Sequence, residues 1–81
     1  MHLPYTVYIL RCSDGTYYTG FTSPIGRRLD EHQRGEVHYT RDKRPFVLVH
    51  SSSFISKMTA YDFERYLKSG SGIAFRNKHF I

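Results

Sequence analysis

A chain of 81 residues has room for one domain burying roughly 60 to 65% of its unfolded surface, and none for a second core or a large enclosed ligand cavity. With 40% hydrophobic residues, 6 Phe, 7 Tyr and no Trp, it is not a disordered chain, and it contains no run long and apolar enough for a membrane span. The net charge of +5 and pI near 9.6 direct the surface toward polyanions; a single cysteine, Cys12, excludes an internal disulfide and fits a reducing compartment. With no signal or transit pattern, a cytoplasmic protein is expected.

From Tyr5 to Arg11 apolar residues occupy both faces, with Tyr5, Val7 and Ile9 on one and Tyr8 and Leu10 on the other, as in a strand covered on both sides. Cys12 falls in the same apolar surroundings and reads as a small buried hydrophobe. Ser13-Asp14-Gly15-Thr16 is a hairpin turn, and Tyr17 to Phe21 returns as a second strand. Each tyrosine of this hairpin brings a hydroxyl that needs a partner. Ser23 is the expected N-cap and Pro24 the first position of a helix carrying Ile25, Arg28, Leu29 and His32 at helical spacing, which Gly35 stops. Phe46-Val47-Leu48-Val49-His50, after Pro45, reads as a third strand. Ser56 caps a second helix through Lys68 with Ala60, Phe63, Tyr66 and Leu67 as its buried stripe. Ser69-Gly70-Ser71-Gly72 breaks it, and Ile73 to His79 forms a last short helix. The expected fold is α+β: a single domain over residues 1–81 with a small three-stranded antiparallel sheet flanked by helices, in the order β-β-α-β-α-α.

Thr6-Val7-Tyr8, the ten-residue step to Tyr18-Thr19-Gly20, and the helix Ile25-Gly26-Arg27-Arg28-Leu29-Asp30-Glu31-His32 together resemble the GIY-YIG nuclease domain. That domain occurs in certain homing endonucleases, some restriction enzymes and an incision enzyme of bacterial excision repair. Lys43-Arg44-Pro45-Phe46 and the segment from Glu64 to Gly72 resemble the small stand-alone members, so the likeness runs from Tyr5 to about Phe80. Thr6 stands where the family name has Gly, and Thr19 where it has Ile; both tyrosines and Gly20 remain.

The resemblance implies a divalent-metal-dependent endonuclease that hydrolyses DNA phosphodiesters with weak or structure-based selectivity, RNA being left open as a substrate. It places Tyr8, Tyr18, Arg28, His38 and Glu64 at the family's functional positions. Glu64 would hold Mg²⁺ or Mn²⁺ through one carboxylate and several waters, and Arg28 would clamp the scissile phosphate. The residues agree in part on their own terms. Helical phase sets Arg28, rather than Arg27, on the face shared with Ile25 and His32, and Glu64 lies beside an apolar stripe where an idle carboxylate is costly. The general base stays open among Tyr8, Tyr18, His32 and His38: forming a phenolate at pH 7 costs roughly 4 kcal/mol, whereas an unperturbed histidine titrates near 6.5.

Arg27, His32, Arg41, Lys43, Arg44 and Lys68 are the expected substrate-binding residues, giving sequence-independent, salt-sensitive affinity for phosphates. No base-reading helix pattern is present, so selectivity would come from DNA shape or branching, a second copy of the chain or a protein partner. The scattered histidines lack the cysteine pair of a zinc site, and Ser69-Gly70-Ser71-Gly72 lacks the lysine of a phosphate-cradling loop. The alternative from a different class is a non-catalytic nucleic-acid-binding or protein-interaction module that keeps the fold.

Overall fold

The computed structural model describes residues 3–23 and 25–81. Strands β1 (Tyr5–Arg11) and β2 (Tyr17–Thr22) are followed by helix α1 (Ile25–Gln33), a 3₁₀ turn at Arg41–Lys43, strand β3 (Val47–Phe54), and helices α2 (Lys57–Leu67) and α3 (Gly70–His79). The sheet is antiparallel with strand order β2-β1-β3, giving the α+β architecture expected. Because β1 is central, its apolar residues divide between two cores. Val7 and Ile9 pack with Ala60 and Leu67 of α2, joined by Phe54, Phe63 and Phe80. Tyr8, Leu10 and Cys12 pack on the other face with Phe46, Tyr18, and Ile25 and Leu29 of α1. Cys12 is buried as anticipated, and burial pushes its thiol pKa up.

Local chemistry sets the turns. Gly15 takes φ +85°, and the Asp14 carboxylate accepts from the Thr16 amide at 3.0 Å and the Thr16 hydroxyl at 2.6 Å, closing the hairpin. Helix α1 ends at Gly35, φ +77°, with Gly35 N–H donating to the His32 carbonyl (3.0 Å) and Glu36 N–H to that of Glu31 (2.9 Å). This paired closure is the Schellman arrangement that a left-handed residue permits. Pro24, the expected first residue of this helix, lies outside the described residues. Ser56 caps α2 by accepting from the Thr59 amide at 3.3 Å.

Two elements are longer than local patterns predict. β3 continues past His50 through Ser51-Ser52-Ser53 to Phe54, because those residues pair with Tyr5 to Tyr8 of β1, and the Ser53 and Thr6 hydroxyls meet at 3.1 Å. α3 begins at Gly70 instead of Ile73: Ser69 is its N-cap, accepting from the Gly72 amide at 3.2 Å. A Cβ on Gly72 would lie 1.6 Å from the Tyr66 carbonyl oxygen, so this glycine allows the start of α3 to close on the end of α2. Among the described residues, no helix is long and apolar enough to cross a membrane.

Candidate active site

The β1–β2 register sets Tyr8 opposite Gly20 and Leu10 opposite Tyr18, so Tyr8 and Tyr18 share the face that α1 covers. The Tyr8 ring lies across Gly20. A Cβ there would come within 2.3 Å of both Cζ and the hydroxyl oxygen, so the glycine leaves room for the ring. Ile25 and Leu29 anchor α1 to this face, and the helical spacing from Arg28 to His32 brings both side chains above the tyrosines. The Tyr8 and Tyr18 ring centroids are 6.2 Å apart, and the His32 ring stands edge-on to Tyr8 at 5.7 Å and to Tyr18 at 5.1 Å.

A continuous chain of hydrogen bonds runs through this cluster. Arg28 Nε donates to the Tyr8 hydroxyl oxygen at 3.4 Å, that hydroxyl meets His32 Nε2 at 2.9 Å, and His32 Nδ1 meets Thr40 Oγ1 at 2.7 Å. A guanidinium can only donate, so the Tyr8 oxygen accepts from Arg28, and the phenol proton has His32 Nε2 and the Tyr18 oxygen as acceptors. With that proton on His32 Nε2, Nδ1–H donates to Thr40 Oγ1 and the Thr40 hydroxyl to the Val37 carbonyl at 3.5 Å, an assignment that gives each of these groups a partner. Tyr8, His32 and Thr40 are at most 1% exposed. On its outer side Arg28 donates through Nη1 to Glu31 at 3.1 Å, and the Tyr18 hydroxyl interacts with both Tyr8 and Arg28.

These surroundings set the charge states. Burial raises the Tyr8 pKa to about 12 despite the opposing pull of Arg28, so Tyr8 stays a neutral phenol. Burial, and secondarily the Arg28 charge, lowers the His32 pKa and favours the neutral imidazole. Hydrogen bonding to Tyr8 drives the Arg28 pKa further up, and Arg28 holds the Glu31 carboxyl below its usual range. The result is a fixed cation whose side chain is 34% exposed, backed by neutral buried groups.

The other expected residues are placed differently. Arg27 is 78% exposed and pairs with Glu31 at 3.4 Å, so helical phase separates it from Arg28 as predicted. His32, expected to bind substrate, is enclosed with both ring nitrogens bonded inside the protein, which leaves it no surface for a phosphate. Arg44 is partly committed to structure, donating to the Arg41 carbonyl at 2.9 Å and the Gln33 carbonyl at 3.3 Å. Arg41 is exposed, and Lys43 lies 4.5 Å above the Tyr39 ring. His38 is exposed in the loop after α1. Glu64 lies on α2 between Ala60 and Leu67; its side chain is 15% exposed and pairs at 3.1 Å with Lys68, which lines a cavity together with Tyr18 of β2. Among the described residues, no hydrogen bond or ion pair joins Glu64 or His38 to the Tyr8–Arg28 cluster. Two members of the cluster were not among the expected residues. Glu31 was readable from its spacing to Arg27 and Arg28, whereas Thr40 carried no local signal.

No group of three or more His, Cys, Asp or Glu side chains gathers to hold a metal ion among the described residues. Glu64 offers one carboxylate, shielded but with some solvent access, and its Lys68 partner is half-exposed and movable. One carboxylate suits a hard cation that keeps most of its water, such as Mg²⁺, and is too few donors for zinc.

Comparison with known proteins agrees with this architecture. The GIY-YIG catalytic domain model matches residues 4–76. A UPF0213 protein of Halobacterium salinarum is 51% identical over 55 residues, 67% of this chain and 71% of that protein. One from Natronomonas pharaonis is 47% identical over 64 residues, 78% of this chain and 75% of its own. The solution structure of a UPF0213 protein from Bacillus halodurans aligns with a TM-score of 0.60 at 37% identity, covering 94% of this chain and 84% of that one.

Proposed function

The chain belongs to the GIY-YIG catalytic domain family, and from that premise we propose that it is a divalent-metal-dependent endonuclease hydrolysing phosphodiester bonds of DNA. The observation that carries this reading is the held guanidinium of Arg28, fixed on one side by the Tyr8 oxygen and on the other by Glu31, with part of its surface open to solvent. In-line attack of water on a phosphodiester builds negative charge on the phosphoryl oxygens. A cation already oriented toward that charge lowers the barrier without reorganising during the reaction.

Tyr8, neutral and enclosed, is a positioning residue: it orients Arg28 and is itself held by His32 and Thr40. Tyr18 is only half-buried and adjoins both Tyr8 and Arg28, so its hydroxyl is the phenol placed to touch substrate or the attacking water. Arg27 and Arg41, both exposed, would add phosphate contacts that set affinity without reading sequence. Glu64 would hold the divalent ion, which when bound supplies positive charge for the departing 3′ oxygen.

Cleavage of duplex, single-stranded, flap and branched DNA in Mg²⁺, Mn²⁺ or EDTA tests the proposal, using wild type, Arg28→Ala and Glu64→Ala. Wild type is expected to cut only with metal, and each variant to lose about 10²-fold or more in rate. A wild-type chain that binds DNA and cuts no substrate in either metal would instead be a non-catalytic binding module on this fold.

A further inference from the structure

The edge of β2 borders a cavity of about 460 Å³ that extends from Tyr18 to the end of α2 and to Ile73 and Arg76 of α3. Tyr17, Tyr18 and Tyr39 line it together with Lys68, half-exposed and paired with Glu64 at 3.1 Å, and Arg76, which donates to the Asn77 side chain at 3.0 Å. Tyr39 is 64% exposed. It is nonetheless braced: its centroid lies 5.6 Å from that of Tyr18, and the Lys43 ammonium stands 4.5 Å above its face. Across the cavity the Arg76 guanidinium lies 5.1 Å over the Tyr17 ring.

Aromatic faces alternating with cations suit a ligand that is flat and apolar in one part and anionic in another. A nucleotide has that chemistry, and the volume falls within the range of small-molecule sites. A base within a stacked, paired helix cannot present its face to a side chain, whereas an unpaired one can. The geometry points to a nucleotide subsite in which an unpaired base of the substrate strand stacks on Tyr39 while Lys68 and Arg76 take its phosphates. This deepens the nuclease reading, on which its role in substrate choice rests: through Tyr18 the subsite adjoins the Arg28 cluster, so a strand seated here would feed its neighbouring phosphate toward that cation. Substrates with an unpaired nucleotide beside the cut, such as flaps, gaps and single strands, would then be preferred to a continuous duplex.

The test is equilibrium binding in EDTA, where no cutting intervenes. A fluorescein-labelled oligodeoxythymidylate of about eight nucleotides, half of a typical upper site size, is compared with a duplex of equal length. The full chain is used as wild type, Tyr39→Ala, Tyr39→Phe and Arg76→Ala, with Lys57→Ala as a remote charge control. Tyr39→Ala is expected to weaken single-strand binding about tenfold and duplex binding much less, while Tyr39→Phe, which keeps the ring, binds as wild type does. Arg76→Ala should weaken the single strand more than Lys57→Ala does. Equal losses on both ligands, an unchanged Tyr39→Ala, or no single-strand binding by wild type would overturn the subsite. Metal-dependent cutting by wild type with an unchanged Tyr39→Ala would leave the nuclease reading standing without the subsite. Selective loss on Tyr39→Ala with no cutting of any DNA in Mg²⁺ or Mn²⁺ would do the reverse.

Discussion

Gly20→Ala tests the link between the sheet and the candidate site. The added methyl would lie 2.3 Å from Cζ and the hydroxyl oxygen of Tyr8 and 2.8 Å from Cε1. Comfortable carbon contacts begin near 3.5 Å, so the ring would have to move by about 1 Å. It has little freedom to do so: Tyr8 is fully buried, and its hydroxyl is held by His32 at 2.9 Å and Arg28 at 3.4 Å. Overpacking of this kind costs about 1–3 kcal/mol, and disturbing two hydrogen bonds about 1 kcal/mol each. A combined loss of about 3–5 kcal/mol compares with a total stability of roughly 4–12 kcal/mol for a chain this long. The melting temperature should therefore fall by roughly 12–40 °C, at about 4–8 °C per kcal/mol for a domain of this size. The assay is thermal and urea unfolding of Gly20→Ala, Tyr8→Leu and the double variant. If the ring is the obstacle, Gly20→Ala becomes nearly neutral once Tyr8 is leucine, and the coupling approaches the full cost of the single substitution, about 3 kcal/mol or more. Additive effects, or a single variant as stable as wild type, would refute the reasoning.

Three further outcomes follow from the same cluster. Thr40→Val removes the acceptor for the buried His32 Nδ1–H and should cost about 1–3 kcal/mol; nitrogen NMR should show His32 leaving the Nδ1–H tautomer, while Thr40→Ser retains it. An unchanged tautomer in Thr40→Val would contradict the assigned hydrogen arrangement. Because burial lowers the folded-state pKa of His32, the unfolded chain binds the extra proton first. Stability should be full above about pH 6.5 and decline as pH falls from there toward the folded pKa, by at most about 1.4 kcal/mol per pH unit. The His32→Asn variant should show a shallower decline, with the remainder from His50, whose pKa burial also lowers; an identical slope would remove His32 as the cause. Glu31→Gln releases one side of Arg28 and should slow cleavage by up to about 10²-fold, whereas Arg27→Ala, altering an exposed partner of the same carboxylate, should leave the catalytic rate near wild type; equal rates for Glu31→Gln and wild type would exclude Glu31 as the anchor.

What was legible in the sequence depended on how local its cause was. The Asp14-Gly15 turn, the stop at Gly35 and the cap at Ser56 each follow from neighbouring residues and occur as read. The apolar faces of β1 and the helical phase of Arg28 were equally readable, since both arise from the period of one element. Ser51-Ser52-Ser53 gave no strand signal because their extended form comes from pairing with a distant segment. Gly70 and Gly72 read as breakers, although Gly72 serves a close approach between helices that only tertiary structure reveals. In the candidate site, the position of His32 was visible, but its enclosure was not. That depends on Thr40, which a loop and a 3₁₀ turn bring back over α1.

The two faces of the sheet explain why so much of the site is aromatic. In a chain of 81 residues, the face covered by α2 forms an apolar core from Val7, Ile9, Ala60 and Leu67. The face covered by α1 must be core and site together. Tyrosine meets both needs, since its ring fills the layer and its hydroxyl joins a polar chain, provided that chain is complete. It is complete: among the described residues, no buried side-chain nitrogen or oxygen lacks a partner. A network satisfied to that degree has little slack, so substitutions that loosen Tyr8, His32 or Thr40 should lower stability and rate together. Substrate choice can vary more freely at the exposed rim, where Tyr39 contributes surface to the cavity without carrying the fold.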